Sequence, residues 1–168
     1  MKILLLRYHD KPFNTFIPSF LNKFMSEKIP ALGIMYVAAS LEKAGYTVRF
    51  LDSMALGLTA EQTKKAIMDF EPDIVGITAM TVTFLGALEA ARLAKECGAI
   101  VVMGGPHFSI FPVESMVHEE IDYAIFGEGE FAMLDLVRAL EQNRPVETIT
   151  GLIWREKGTV RVNKPAII

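Results

Sequence analysis

The feature that most constrains the fold is a regular alternation of short apolar segments with helical segments along most of the 168 residues. Short apolar runs are typical of parallel strands that helices cover on both faces. Apolar positions three and four residues apart are typical of amphipathic helices. Five such strand–helix pairs predict a doubly wound, five-stranded parallel α/β sheet of order 2-1-3-4-5. The predicted strands are 2–7, 47–52, 74–78, 99–103 and 122–126, and the predicted helices are 30–44, 59–70, 83–97, 112–119 and 130–142.

Two stretches depart from this alternation. Residues 8–30 contain three prolines and four phenylalanines, and we interpret them as a long loop over the strand ends that can include one helical turn. Segments 148–155 and 159–162 alternate in polarity around Lys157-Gly158, which predicts a β-hairpin. We therefore expect one α/β domain over residues 1–147, followed by a hairpin segment over residues 148–168.

Composition and charge exclude several classes of protein. The net charge is −3, with acidic and basic residues interspersed, so no basic face indicates a nucleic-acid partner. The apolar run before Arg7 is only four residues long, Ile3–Leu6, which is too short for a signal peptide or a membrane span. A single cysteine, Cys97, excludes an internal disulfide framework and fits a cytoplasmic location. One cysteine is also too few to hold an iron–sulfur cluster within this chain.

Two glycine clusters follow the fourth and fifth predicted strands, at Gly104–His107 and Gly127–Glu130. Ligands of open α/β sheets bind outside the carboxyl ends of the strands, and glycine allows the backbone to approach a ligand closely. A turn needs only one glycine, so the second glycine of Gly104-Gly105 indicates that something lies against the backbone. Threonines at 78, 81 and 83 place hydroxyls near the same crevice, although helix N-capping is an alternative role for them.

The common catalytic and phosphate-binding motifs do not occur. Two glutamates in Gly127–Glu130 argue against a phosphate site, but their carboxylates could accept hydrogen bonds from hydroxyls or amides of a neutral ligand. There is no GxGxxG after the first strand, no GxxxxGK[ST], no GxSxG and no Ser–His–Asp set. His9 and His118 lack zinc-like spacing to other ligands, and a lone histidine such as His107 is more often packed than ligating. We expect no catalytic residue and no metal ligand from this chain.

Five stretches, taken together, carry a resemblance to a known family: 30–39, 41–46, 72–78, 102–107 and 122–130. In this order and spacing they resemble the N-terminal cobalamin-binding domain of cobalamin-dependent radical S-adenosylmethionine enzymes. This group includes methyltransferases and the anaerobic Mg-protoporphyrin monomethyl ester cyclase. The terminal segments 151–155 and 162–165 resemble that family's lead-in to a catalytic barrel.

The resemblance implies a flavodoxin-like (Rossmann-like) accessory domain that holds the corrinoid at the carboxyl edge of the sheet, for methyl or electron transfer. It implies that a separate barrel domain carries the [4Fe–4S] cluster and S-adenosylmethionine, so that this chain alone is not catalytic. Other cobalamin carriers have DxHxxG after the first strand, whereas this chain has Arg7-Tyr8-His9-Asp10-Lys11-Pro12. The implied binding mode therefore has no histidine ligand to cobalt from this chain. The implied cofactor-binding residues are Thr78, Ala79, Met80, Thr81, Gly104, Gly105, Pro106, His107, Gly127, Glu128, Gly129 and Glu130.

Two other functions stay open at this point. The same fold could act as a docking module that binds no cobalamin. A free-standing flavodoxin-like enzyme or a receiver domain is a weaker alternative, because a receiver needs an aspartate after the third strand and Thr78-Ala79-Met80 has none. Replacement of Gly104 or Gly105 by valine is expected to abolish cobalamin retention and to leave the fold intact.

Overall fold

Strands and helices alternate along residues 1–8 and 30–164, the parts of the chain that the computed structural model describes. The predicted loop at 8–30 lies almost entirely outside these ranges. The strands are β1 (Lys2–Arg7), β2 (Thr47–Asp52), β3 (Ile74–Thr78), β4 (Ile100–Gly104), β5 (Tyr123–Ile125), β6 (Leu152–Glu156) and β7 (Thr159–Val162). The helices are α1 (Leu32–Lys43), α2 (Ser53–Leu56), α3 (Ala60–Phe70), α4 (Phe84–Glu96), α5 (Pro106–Ile110) and α6 (Gly129–Glu141), with 3₁₀ turns at Thr81–Thr83 and Glu114–Val117.

These strands form one sheet in the order β2-β1-β3-β4-β5-β6-β7. The pairs from β2 to β5 are parallel, which confirms the predicted order 2-1-3-4-5. The predicted hairpin is also present, with Lys157 and Gly158 in left-handed conformations at its turn. Strand β6 pairs antiparallel with both β5 and β7, so the hairpin extends the sheet to seven strands. The boundary after residue 147 stays a prediction.

Alternate residues of the central strands feed two separate cores. One face presents Leu4, Val75 and Val101 to α3 and α4. The other face presents Ile3, Ile74 and Val102 to α1 and α6. Since helices cover both faces, the central strands are apolar on both sides, as continuous apolar runs require. No helix among the described residues is long and apolar enough to cross a membrane.

Helix ends follow local signals in the sequence. Thr59 caps α3: its hydroxyl accepts a hydrogen bond from the Gln62 N–H, and the Gln62 side chain accepts one from the Thr59 N–H. The short helix predicted at 112–119 is present only as the 3₁₀ turn Glu114–Val117, and the α-helix between β4 and β5 lies earlier, at α5. Pro106 is the first residue of α5, where its fixed φ and missing N–H are favourable.

Candidate functional site

The carboxyl edge of the sheet has its switch point between β1 and β3, since the chain runs from β1 outward to β2 and then back to β3. An ion pair lies beside this point, between the ends of β1 and β2: Arg7 Nη1 is 3.2 Å from Asp52 Oδ2. Asp52 also accepts a hydrogen bond from the Ala55 N–H at the start of α2. The Ser53 hydroxyl donates to the Arg7 carbonyl. This cluster was missed at the sequence level, although Arg7 and Asp52 end neighbouring strands in register.

The segments that follow β3 and β4 lie directly against each other. The Ala79 N–H donates to the Gly104 carbonyl at 2.8 Å, and the His107 N–H donates to the Ala79 carbonyl at 3.2 Å. Gly105 has φ 104° and ψ −177°, a conformation that only glycine readily adopts. A Cβ on Gly105 would lie 2.7 Å from the Ala79 carbonyl oxygen. The group that lies against the second glycine is therefore the backbone of Ala79.

Gly104 is different from its neighbour. Its φ is not positive, and an added Cβ would meet the Ile125 carbonyl oxygen at 3.4 Å, an ordinary contact. The expectation that both glycines tolerate valine is wrong for Gly105, because a side chain there collides with backbone. Gly104 is the position of the pair where a Cβ can be added without that collision.

His107 is packed into the protein just beyond the edge. The residue is 7% exposed, and its ring stacks on Phe84 with ring centroids 3.9 Å apart. Its Nδ1 shares a hydrogen bond of 3.3 Å with the Thr81 hydroxyl. Burial lowers the pKa of His107, so the neutral imidazole is favoured. These contacts give the ring a packing role whether or not it also meets a ligand.

The Gly127–Glu130 segment starts α6 at the same edge. Gly127 has φ 80°, and a Cβ there would meet no atom within 4 Å, so this position faces open space. Glu128 is the N-cap residue of α6, but its side chain makes no capping hydrogen bond. A Cβ on Gly129 would lie 3.1 Å from Val37 of α1, so Gly129 allows α6 to approach α1. The Ser40 hydroxyl, also on α1, donates to the Glu130 carbonyl at 3.3 Å.

The twelve predicted residues therefore fall into two groups along one edge. Ala79 and His107 are buried and hold the β3 and β4 segments together. The others are exposed or half-buried, and only these can meet a ligand without rearrangement. Among the described residues, no three His, Cys, Asp or Glu side chains converge on a position that could hold a metal ion. The accessible positions are Thr78, Met80, Thr81, Gly104, Gly105, Pro106, Gly127, Glu128, Gly129 and Glu130.

Comparison with known proteins gives one family and a set of relatives. The model of the family described as "B12 binding domain" matches residues 25–137. An uncharacterized methyltransferase of Pyrococcus horikoshii is 40% identical over 139 residues, which are 81% of this chain and 30% of the relative. The anaerobic magnesium-protoporphyrin IX monomethyl ester cyclase of Rubrivivax gelatinosus is 37% identical over 119 residues, which are 68% of this chain and 21% of the relative. The chain thus spans less than a third of the length of these curated relatives.

Two solved structures share the fold. The cobalamin-dependent S-adenosylmethionine radical enzyme OxsB, with aqua-cobalamin and S-adenosylmethionine bound, superposes with a TM-score of 0.76 at 19% identity, over 99% of this chain and 22% of that chain. The second structure is the radical S-adenosylmethionine methyltransferase TsrM from Kitasatospora setae, with cobalamin and a [4Fe–4S] cluster bound. It superposes with a TM-score of 0.74 at 24% identity, over 99% of this chain and 29% of that chain. At these identities, the likeness is one of fold.

Proposed function

The chain belongs to the family of B12-binding domains, and we propose that it holds cobalamin at the carboxyl edge of its sheet as the accessory part of a radical S-adenosylmethionine enzyme. The observation that carries the proposal is the family match over residues 25–137, which spans β2 to β5 and therefore the segments that form this edge. Relatives that carry a methyltransferase or cyclase activity are several times longer than this chain. Their length supports an accessory role for a domain of this size.

The accessible residues at the edge fit such a cofactor. Cobalamin is large and bears many amide groups, so it needs open backbone and hydrogen-bonding partners. Gly127 leaves open space where a side chain would otherwise project, and Gly104 exposes backbone beside Ile125, with which an added Cβ would make only an ordinary contact. The Glu128 carboxylate, which caps no backbone N–H of α6, can accept hydrogen bonds from amide N–H groups. The Thr78 hydroxyl, half-buried at the end of β3, can donate or accept.

Each part of the edge has a distinct task in this proposal. When bound, cobalamin supplies methyl-group or electron transfer. Thr78, Gly104 and Gly127 form the open surface against which the ligand lies. The contacts between Ala79 and the β4 segment keep that surface rigid, since two backbone hydrogen bonds join them. The Arg7–Asp52 pair closes the end of the crevice near β2 and fixes the carboxyl ends of β1 and β2 side by side.

No side chain among the accessible positions is a histidine, so we propose that the described residues leave cobalt without a protein ligand. The His107 ring is stacked on Phe84 and bonded to Thr81, and it would have to leave both partners to reach a ligand. The remaining chemistry, with a [4Fe–4S] cluster and S-adenosylmethionine, belongs in this proposal to a companion domain. Methyltransferase and cyclase reactions are the activities proposed for the longer protein.

The direct test is cobalamin retention by the purified chain. The protein is mixed with hydroxocobalamin, passed through a gel-filtration column, and examined by visible spectroscopy for cofactor that co-elutes with protein. We expect the wild type to retain cobalamin and Gly104→Val to lose it. Gly104→Ala should reduce retention less than Gly104→Val does. Ala39→Val, which adds bulk on the exposed outer face of α1, is the control and should retain cobalamin.

Thermal unfolding of each variant is measured in parallel, so that a loss of retention is assigned to the site only in a folded protein. A folded wild type that retains no cobalamin would contradict the proposal and favour a docking module of the same fold. Equal retention by Gly104→Val and the wild type would instead contradict the placement of the ligand at Gly104.

A further inference from the structure

Helix α1 contains a glycine, Gly33, that the fold does not require. The residue lies in the first turn of α1, and its φ is not positive. An added Cβ would meet no atom of the described residues within 4 Å. Glycine is disfavoured in a helix relative to alanine, because it loses more conformational freedom on folding. A glycine at this position therefore indicates that something other than the folded chain comes close to the backbone of α1.

The glycines of the two clusters at the carboxyl edge differ from Gly33. Gly105 and Gly127 adopt positive φ, which favours glycine over other residues. A Cβ on Gly129 would lie 3.1 Å from Val37, and one on Gly104 would contact backbone at 3.4 Å. Gly33 is exposed and has neither a special backbone conformation nor a close neighbour in the described part of the chain.

Helices α1 and α6 lie side by side and run in the same direction. Near the start of α6, Val37 lies beside Gly129. Near its end, the Tyr46 hydroxyl, just after α1, donates to the Glu141 carboxylate at 3.1 Å. Since Gly129 is the first residue of α6, the part of α1 that precedes Val37 extends beyond the start of α6. This part is Leu32–Tyr36, which is about 7 Å of helix.

Gly33 faces the space above the start of α6. It lies four residues before Val37, so the two residues share one face of α1 and are about 6 Å apart along its axis. Val37 faces α6, and Gly33 faces the same way at a level where α6 has not begun. The chain that leads into α6 there is Gly127-Glu128, and a Cβ on Gly127 would also meet no described atom within 4 Å. Gly33 and Gly127 thus border the same open region of the carboxyl edge.

We propose that cobalamin lies between the first turn of α1 and the Gly127 turn and contacts the backbone of α1 at Gly33. This inference rests on the proposed function, and it adds a position outside the twelve that the sequence resemblance implies. The match to the B12-binding family begins at residue 25, so the matched region includes the start of α1. A large side chain at residue 33 would occupy the open region and displace the ligand.

Gly33→Ala and Gly33→Leu test the proposal through two measurements, thermal unfolding and the titration of hydroxocobalamin followed by visible spectroscopy. Alanine and leucine both favour helix over glycine, so neither variant should melt below the wild type. Gly33→Ala should melt up to about 4 °C higher. Gly33→Leu should raise the dissociation constant for hydroxocobalamin at least about 10-fold, because its side chain overfills the site. Gly33→Ala should raise it less.

Ala39→Leu is the matched control, because it adds a leucine to the exposed outer face of the same helix. It should bind hydroxocobalamin like the wild type. A folded wild type that binds none contradicts the proposed function and this inference with it. If the wild type binds, an unchanged dissociation constant in Gly33→Leu overturns this inference alone. So does an equal loss of affinity in Ala39→Leu, or a Gly33→Leu protein that melts well below the wild type, since residue 33 would then pack against protein.

Discussion

Gly105→Ala should destabilise the domain by about 3–5 kcal/mol. Two contributions, backbone strain and weakened hydrogen bonds, make up this figure. The backbone of Gly105, at φ 104° and ψ −177°, lies in a region that costs other residues about 1–3 kcal/mol. The new Cβ would lie 2.7 Å from the Ala79 carbonyl oxygen, so the two segments must separate. Separation weakens the two hydrogen bonds that Ala79 makes with Gly104 and His107, at about 1 kcal/mol each.

Urea and thermal unfolding measure this loss. At about 2–4 °C for each kcal/mol in a domain of this size, Gly105→Ala should lower the melting temperature by on the order of 10 °C. Gly104→Ala is the matched control, since its Cβ meets only an ordinary 3.4 Å contact with the Ile125 carbonyl oxygen. It should change stability by less than about 1 kcal/mol. A Gly105→Ala protein as stable as Gly104→Ala would refute the reasoning, because it would mean that Ala79 can move away without cost.

Three further predictions concern stability elsewhere in the fold. Thr63 is fully buried on α3 and its hydroxyl has no hydrogen-bond partner in the part of the chain described, so Thr63→Val should raise the free energy of unfolding in urea by about 1 kcal/mol; a loss of stability would show that the hydroxyl is satisfied. The Asn163 side chain accepts a hydrogen bond from Trp154 Nε1 and donates to two backbone carbonyls. Asn163→Ala should therefore lower the free energy of unfolding by about 2–3 kcal/mol and shift the fluorescence of the chain's single tryptophan to longer wavelength. Unchanged emission would contradict this prediction. Burial lowers the pKa of His107 below its ordinary 6.5. As the pH falls, the unfolded chain therefore binds a proton at a higher pH than the folded chain does, and stability should fall as the pH drops below about 6.5. His107→Gln should flatten this part of the pH profile; a slope equal to that of the wild type would contradict the assignment.

The order of the parallel strands could be predicted because it depends on local signals. Central strands such as β3 are apolar on both faces, and Thr59 with Gln62 marks the start of α3 through a capping box. The docking of the hairpin could not be predicted in the same way. Only two residue pairs join β6 to β5, and such a short antiparallel contact has no signature in either segment. The bounds of α5 were missed because Gly105-Pro106 was interpreted as a turn, although proline at the first helical position is also a start signal.

At the candidate site, the sequence predicted that both glycine clusters lie at the carboxyl edge of the sheet, but it could not divide their glycines between folding and binding. From the sequence alone, one glycine of Gly104-Gly105 is expected to serve the turn and the second to have something lying against its backbone. In the structure, Gly105 is needed for contact with Ala79, and Gly129 is needed for contact with Val37. Both partners come from elements distant in sequence, so no local sequence pattern predicts these two contacts. Gly104 and Gly127 lie where an added Cβ meets no tight contact. The positions of the two clusters at which an added Cβ meets no tight contact are therefore the first glycine of each.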